Sequence, residues 1–309
     1  MDTQLTGPCS VLLVIDGEEP VKACLDRALM LAQALQGRLD ILLWRGWSAY
    51  ASRLRPWAAD AGCQYLHALR NSLLSPGVEI TTQASFGGTL SEVVAEKVRQ
   101  LNSLLVVKVR RHGLSWRGSS ADRDLVHVCT APLLLTDGRP WRQRPRFAAA
   151  VNVLDEDLTN DRNIIETIGA LQRVCAADLD LIYAETADAM PRAPEGESPA
   201  QLLLQNLAGE CHVTPQRIHV LDGRVTHVLP RFIGAMHYDL LAIGSPSKAN
   251  YGFRHLAAPA LSESLIRTDC DLLAISPDHG QLTTALACGR EIAGNRQTPS
   301  GGGRVVVPP

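Results

Sequence analysis

Four side chains near the end of the first half of the chain are of types that can hold a metal ion. They are His112, Asp122, Asp124 and His127, and the last two lie three residues apart on a predicted helix, so they share one face. Residues at this spacing more often cap a helix or face solvent than bind a metal. A metal site is the weaker alternative here, and we predict no metal ligands.

Motifs of nucleophilic and metal-dependent enzymes are absent from the sequence, which contains no Gly-x-Ser-x-Gly, His-Glu-x-x-His or Walker lysine loop. The eight cysteines form no Cys-x-x-Cys pair and lie mostly in apolar patterns, which favours small buried hydrophobes in a reducing compartment. Cys129 and Cys270 flank predicted strands, and no basic neighbour of either is evident. We predict no catalytic residue.

The composition is that of a globular protein. Hydrophobic residues make up 46% of the 309 residues and charged residues 20%, which excludes a wholly disordered, collagenous or coiled-coil chain. The net charge of −2 indicates no overall preference for nucleic acid. No apolar run reaches the ~18 residues of a membrane helix, and the first residues lack the pattern of a secretory signal. We expect a cytoplasmic protein without nucleic-acid partners or a membrane span.

An internal repeat defines the organisation of the chain. Residues 14–16, 39–42, 103–106 and 131–134 recur in the same order at 150–152, 179–182, 239–242 and 270–273, with offsets of 136 to 140 residues. Four matches in one order are hard to obtain by chance. We predict two copies, with domains at 1–140 and 141–280. The remaining residues, 281–309, contain few large apolar side chains and predict a disordered tail.

Each copy alternates short apolar strands with amphipathic helices. Residues 11–15 form a continuous apolar run typical of a strand buried on both faces, and the next apolar positions recur at helical spacing. Thr89 and Glu92 have the spacing of a capping box. Pro230 predicts a kink or a late start in a helix of the second copy. This alternation predicts an α/β fold with five parallel strands per copy, and the short turn-rich junction predicts two halves packed together.

The motifs at the end of each copy resemble those of universal stress proteins. Residues 239–245, 262–266 and 270–278 resemble the end of such a domain, and 125–138 with 148–153 resemble the tandem, E-type members in particular. The similarity spans about residues 9–279. It implies an adenine-nucleotide-hydrolase-like fold with strand order 3-2-1-4-5 and association through strand five. The two copies would then pack as a pseudo-dimer, and the whole chain could form a homodimer. Coordinates with a single undivided sheet would contradict the duplication.

Nucleotide-binding members of that family carry a Gly-x2-Gly-x9-Gly-Ser/Thr loop after strand four and an aspartate after strand one. By this resemblance the second copy keeps Gly244, the first glycine of the motif. Ser247 takes the second glycine position, with Lys248 beside it. Ser262 lies near a helix start, and Asn152 replaces the aspartate. A glycine, a cation and hydroxyls near a helix start can hold phosphates. We expect ATP or a related nucleotide there, with Mg²⁺ unresolved. The alternative is a vestigial pocket under a surface loop.

The first copy departs further from the pattern. Lys108 stands where the second copy is expected to have Gly244, followed by Arg110 and Arg111, whereas Asp16 is kept. Since strands one and four are neighbours in this fold, we predict that Lys108 pairs with Asp16 within ~4 Å and fills part of the adenosine site. The alternative is that Lys108, Arg110 and Arg111 form an anion subsite for another phosphorylated ligand.

The resemblance implies a non-catalytic stress-response sensor or adaptor with an unidentified protein partner. One alternative is a slow ATPase using Lys248 and Ser262. For that reading Asp239 lies at the wrong end of its strand and Glu263 is the remaining carboxylate. The other alternative is a scaffold without a small ligand, acting through its strand-five edges and its tail.

Overall fold

The fold is taken from a computed structural model that describes residues 9–16, 22–46, 55–73, 77–110, 120–153, 158–185, 198–245 and 268–276. The predicted tail at 281–309 lies outside these residues. The first copy alternates strands and helices as predicted, and both ends of the Thr89–Glu92 capping box are present. Its strands are β1 (Ser10–Ile15), β2 (Arg38–Arg45), β3 (Ile80–Phe86), β4 (Ser103–Val109) and β5 (Leu133–Thr136), and its helices are α1 (Lys22–Ala34), α2 (Arg55–Ser72), α3 (Leu90–Leu101) and α4 (Ser120–Val128).

The second copy repeats this order. Pro230 lies six residues into its last described helix, so the alternative of a late start is wrong. The strands are β6 (Arg146–Ala150), β7 (Asp178–Glu185), β8 (Arg217–Asp222), β9 (Leu240–Gly244) and β10 (Asp271–Ile275), and the described helices are α5 (Thr159–Cys175), α6 (Pro199–Glu210) and α7 (Val225–Met236).

All ten strands join one sheet, in the order β3-β2-β1-β4-β5-β10-β9-β6-β7-β8. Each half has the predicted order 3-2-1-4-5 with parallel pairing, whereas β5 and β10 pair antiparallel, Leu134 opposite Leu273. The predicted five-stranded halves and their association through strand five are therefore confirmed. The sheet is continuous, but its antiparallel seam divides it into two equivalent halves.

The antiparallel seam also determines whether the edges of the fifth strands are free to pair with another molecule. β5 pairs with β4 on one side and β10 on the other, so neither fifth strand has a free edge. The alternative of a scaffold acting through strand-five edges is wrong for this reason. A homodimer formed through those edges is excluded in the same way. The outer strands of the ten-stranded sheet are β3 and β8.

The junction between the copies is packed against both of them. Asp271, fully buried at the start of β10, accepts hydrogen bonds from the Asp137 amide and from Trp141 Nε1, each at 2.9 Å. Arg27 of α1 pairs with the same carboxylate and stacks over the Trp141 ring, 4.7 Å from its centroid. The predicted packing of the two halves is confirmed by these contacts. Within the described residues, no helix is long and apolar enough to cross a membrane.

The antiparallel seam has a geometric consequence for any site at the strand ends. Ligands of open α/β sheets bind beyond the carboxyl ends of the strands, where the strand order reverses. In this sheet the carboxyl ends of the two copies face opposite edges, because the halves run in opposite directions. The two candidate crevices are thus on opposite sides of the molecule.

Candidate functional site

The crevice of the first copy contains the predicted ion pair. Lys108 lies near the end of β4, and Asp16 directly follows β1, the neighbouring strand. Lys108 Nζ lies 3.0 Å from Asp16 Oδ2, within the predicted limit, and the lysine side chain is fully buried.

A second carboxylate, not expected there, completes this cluster. Asp122, in the first turn of α4, places Oδ1 2.7 Å from Lys108 Nζ, and the same ammonium donates to the Val109 carbonyl at 2.9 Å. Lys108 thus has an acceptor for each of its three protons. Buried charges persist in proteins when they are paired in this way. We call Asp16, Lys108 and Asp122 the lysine cluster.

The lysine cluster engages Asp122, one of the four side chains considered for a metal site. Asp122 is buried against Lys108, whereas Asp124 is exposed, so the two carboxylates do not converge. His112 lies outside the described residues. Among the residues that the structure describes, no group of three or more histidine, cysteine or acidic side chains is placed to hold a metal.

Arg110 is also buried, but it is directed towards the seam. Its Nη2 donates to the Cys270 carbonyl at 2.5 Å, and burial lowers the pKa of its guanidinium. An anion subsite needs cations that a ligand can reach, and Lys108 and Arg110 are 0% and 2% exposed. The alternative anion subsite is wrong for these two residues, and Arg111 lies outside the described part.

The sheet register shows that Lys108 and Gly244 do not occupy equivalent positions in the two copies, contrary to the expectation from the sequence. In the first copy Val14 of β1 lies opposite Lys108. In the second, Ala149 of β6 lies opposite Ala242, so Ala150, the equivalent of Val14, falls beside Ile243. Lys108 therefore corresponds to Ile243, and Gly244 corresponds to Val109. A shift of one residue matters because it moves a strand side chain to the opposite face of the sheet.

Gly244 is needed for the packing of α5. A Cβ atom at this position would overlap Asn160 Nδ2 and would lie 3.4 Å from Ile164 Cδ1. The absence of a side chain lets the first turn of α5 approach the end of β9. This close approach of protein atoms is a sufficient explanation for a glycine at position 244, whether or not Gly244 also contacts a phosphate.

Asn152 lies where the second copy was expected to keep a polar group after its first strand. It lies two residues after the end of β6 and is partly exposed, and its backbone amide donates to Asp161 Oδ1 at 2.8 Å. Its side-chain amide makes no hydrogen bond to the described part of the chain. In this crevice the residue that corresponds to Asp16 is uncharged, and no lysine of the described part of the chain pairs with it.

Two residues of α5 at this crevice were missed by sequence reasoning. Asp161 is fully buried, and Asn160 is buried with no hydrogen-bond partner for Oδ1 among the described residues. Polar residues in the first turn of a helix resemble ordinary caps, so their types alone carried no signal. Only the placement of α5 against β9 brings them to the crevice. The predicted residues Ser247, Lys248 and Ser262 lie outside the described residues.

The cysteines beside the fifth strands, Cys129 and Cys270, are both buried, and one of them has a cationic neighbour. Burial raises the pKa of Cys129 to about 12 and that of Cys270 to about 11, where the effect of burial exceeds the lowering by Arg110. Arg110 is thus a basic neighbour of Cys270 that the sequence did not reveal. Cys63 is exposed, unlike the buried cysteines expected from its surroundings.

Solved structures share this architecture over nearly the whole chain. A protein of unknown function from Pseudomonas aeruginosa PAO1 is 19% identical, with a TM-score of 0.64 over 93% of this chain and 98% of that one. A protein provisionally assigned to the universal stress proteins, from P. aeruginosa UCBPP-PA14, is 20% identical, with a TM-score of 0.66 over the same shares. A universal stress protein from Archaeoglobus fulgidus DSM 4304 is 12% identical, with a TM-score of 0.59 over 86% and 96%. The chain shares their fold.

Similarity at the level of sequence is weaker. No family model matches the chain, and no curated protein matches it. The fold is therefore established by the structures, while the function must be argued from the two crevices.

Proposed function

We propose that the chain is a tandem universal stress protein of the E-type, a non-catalytic sensor or adaptor whose second copy binds an adenine nucleotide. The fold shared with proteins of that name over most of the chain supports the tandem organisation, with domains at 1–140 and 141–280. The motif resemblance at 239–245 and 270–278 supports the assignment of the second copy. We place the protein in the cytoplasm, with an unidentified protein partner.

The asymmetry of the two crevices is the observation that carries this proposal. In the first copy the ammonium of Lys108 lies between Asp16 and Asp122, so the space at the strand ends is filled by paired charges. At the same register the second copy has Ile243, which packs in the core, and Asn152 stays partly exposed. Among the described residues, the first crevice therefore holds a buried cation between two carboxylates, and the second holds no cation at the equivalent position.

The second crevice fits a nucleoside in its polar groups. Asn160 Oδ1 is a buried acceptor without a donor among the described residues, and such an atom costs about 1–3 kcal/mol when it stays unpaired. A hydroxyl or amino group of a ligand would satisfy it. Asn152 adds a neutral amide that can donate and accept. Ser247, Lys248 and Ser262 of the following loop would hold the anionic phosphates, with or without Mg²⁺.

The carboxylates near this crevice favour binding over hydrolysis. Asp161 is buried, and its Oδ1 is engaged by the Asn152 amide, so it holds the backbone after β6. Asp239 precedes β9 at the opposite end of the sheet, where it accepts from the Arg146 amide at 2.8 Å. We assign neither residue as a general base, and the slow-ATPase alternative then depends on Glu263.

Equilibrium binding of a fluorescent ATP analogue to the full chain, with and without Mg²⁺, tests the proposal. We expect saturable binding at one site per chain that Lys248→Ala weakens by about tenfold or more, since hydrogen bonds to charged groups are worth about 1.5–3 kcal/mol. The matched control is Lys97→Ala on α3, a partly exposed lysine that donates a hydrogen bond to Gln100. Binding that neither variant changes, or no binding at all, would contradict the proposal. Release of phosphate on a parallel assay would favour the ATPase.

A further inference from the structure

A serine of the second copy caps a helix of the first. Ser245 Oγ, directly after β9, donates to the Val126 carbonyl at 2.5 Å across the seam. Val126 lies in the last turn of α4, where carbonyls lack a partner within the helix. The residue that begins the loop at 245 thus supplies a hydrogen bond that the helix itself cannot.

The other end of the same helix holds the lysine cluster. Asp122, in the first turn of α4, lies 2.7 Å from Lys108 Nζ. Between the two contacts, Leu125 and Val126 are 0% and 1% exposed, so the helix is tightly packed along its length. A helix of nine residues spans roughly 13 Å. It therefore connects the crevice edge of the first copy with the opposite edge, where the loop of the second copy begins.

A contact in the reverse direction occupies the equivalent place in the first copy. By the sheet register Arg110 corresponds to Ser245, and their backbone amides donate to Thr136 and Ile275 at the ends of the two fifth strands. Arg110 Nη2 donates to the Cys270 carbonyl, just before β10. In each copy the residue after strand four thus reaches a backbone carbonyl of the other copy.

We propose that α4 couples the lysine cluster of the first copy to the loop that begins at Ser245 in the second. Loss of the Lys108–Asp122 contact weakens the hydrogen bond between Ser245 and Val126, and loss of that hydrogen bond weakens the lysine cluster by the same free energy. The closed copy then acts as a support for the loop of the open one. That loop is a ligand loop only if the proposed function holds, whereas the coupling itself needs no ligand.

A double-mutant cycle on the full chain without nucleotide tests the coupling. Ser245→Ala and Asp122→Asn are measured singly and together by urea unfolding. Each variant changes the unfolding equilibrium constant by a measured factor. Because coupled residues depart from additivity, we expect the factor of the double variant to be smaller than the product of the two single factors by about threefold or more. Ser72→Ala removes a similar hydroxyl-to-carbonyl bond of 2.7 Å within α2, and we expect its effect to multiply with that of Asp122→Asn. The proposal would be overturned if the factor of the double variant of Ser245→Ala with Asp122→Asn also lay within about twofold of the product of the two single factors.

Amide hydrogen exchange supplies a second test, which stays valid if Asp122→Asn does not fold. In Ser245→Ala we expect the amide of Asp124, which lies outside the last turn of α4, to exchange about two- to tenfold faster, and Ser245→Thr to restore it. Acceleration confined to the last turn of α4 would overturn the coupling. ATP binding measured on the same samples tests the proposed function separately. Failure of the coupling can therefore be distinguished from failure of the proposed function.

Discussion

Lys108 and Asp122 lie 2.7 Å apart in the interior of the first copy, where neither side chain is more than 1% exposed. With Asp16 on its other side, this lysine is shared by two carboxylates that come from different parts of the chain. The arrangement closes the crevice of one copy, and it joins β4 to α4. Its energetic consequences can be measured directly.

Replacement of Lys108 by methionine leaves two buried carboxylates without their cation. We expect Lys108→Met to lower the free energy of unfolding by about 3–5 kcal/mol, because an uncompensated buried charge is costly. The measurement is urea unfolding at neutral pH. The triple variant with Asp16→Asn and Asp122→Asn removes the stranded charges, and we expect it to recover part of the loss.

The control for this prediction is Lys97→Met, which alters a partly exposed lysine of α3 and should change stability by less than about 0.5 kcal/mol. A loss in Lys108→Met no larger than that of the control would show that the ion pairs contribute nothing net.

A side chain at Gly244 requires the Asn160 amide to move. We expect Gly244→Ala to destabilise the protein by about 1–3 kcal/mol through overpacking. Asn160→Ala in the same chain removes the obstructing amide, so the double variant should be more stable than the sum of the two single changes indicates. Thermal or urea unfolding measures both effects.

Gly209 offers a matched comparison, because a Cβ atom there would meet no atom within 4 Å and the residue lies in α6. We expect Gly209→Ala to stabilise the protein by about 0.5–1 kcal/mol. Equal effects at the two glycines would mean that the approach of Asn160 is not what requires Gly244.

Asp271 predicts a dependence of stability on pH. Burial raises its pKa to about 7, and the lowering by Arg27 offsets only part of this effect. Asp137 faces it as a second carboxylate, while Trp141 and the Asp137 amide donate to it. Between pH 4 and 7 the folded protein therefore binds a proton that the unfolded chain has released. This contribution to stability is complete below about pH 4 and is lost as the pH rises through 7.

The measurement is the free energy of unfolding of the natural chain and of Asp271→Asn from pH 5 to pH 8. We expect the difference, natural chain minus variant, to fall as the pH rises. A difference that rises over this range would mean that Arg27 outweighs burial. Asp269→Asn, at a side chain that is 76% exposed, should leave the profile unchanged.

Much of the fold was predictable because its strands are continuous apolar runs and its repeat is regular. Residues 11–15 and 104–109 formed strands at nearly the predicted bounds, and the Thr89–Glu92 capping box marked a helix start. The repeat predicted two equivalent halves. It did not predict their continuity in one sheet, since edge pairing of β5 with β10 leaves no mark in the apolar pattern.

The crevices were less predictable, for two physical reasons. The contact of Lys108 with Asp16 followed from the neighbouring positions of strands one and four. Asp122 was missed because it reaches Lys108 from a helix, and no spacing in the sequence measures that distance. Alignment of Lys108 with Gly244 failed by one residue, because the repeat offset drifts between strands and only the hydrogen-bonded register fixes it.

We propose that nucleotide binds in the crevice of the second copy and not in that of the first. Photolabelling of the full chain with an azido-ATP, followed by peptide mapping, tests it most directly. The account predicts label in peptides that contain Asn152 and Asn160 or the loop after Gly244, removed by excess unlabelled ATP. Competable label in peptides that contain Asp16 or Lys108 would contradict it.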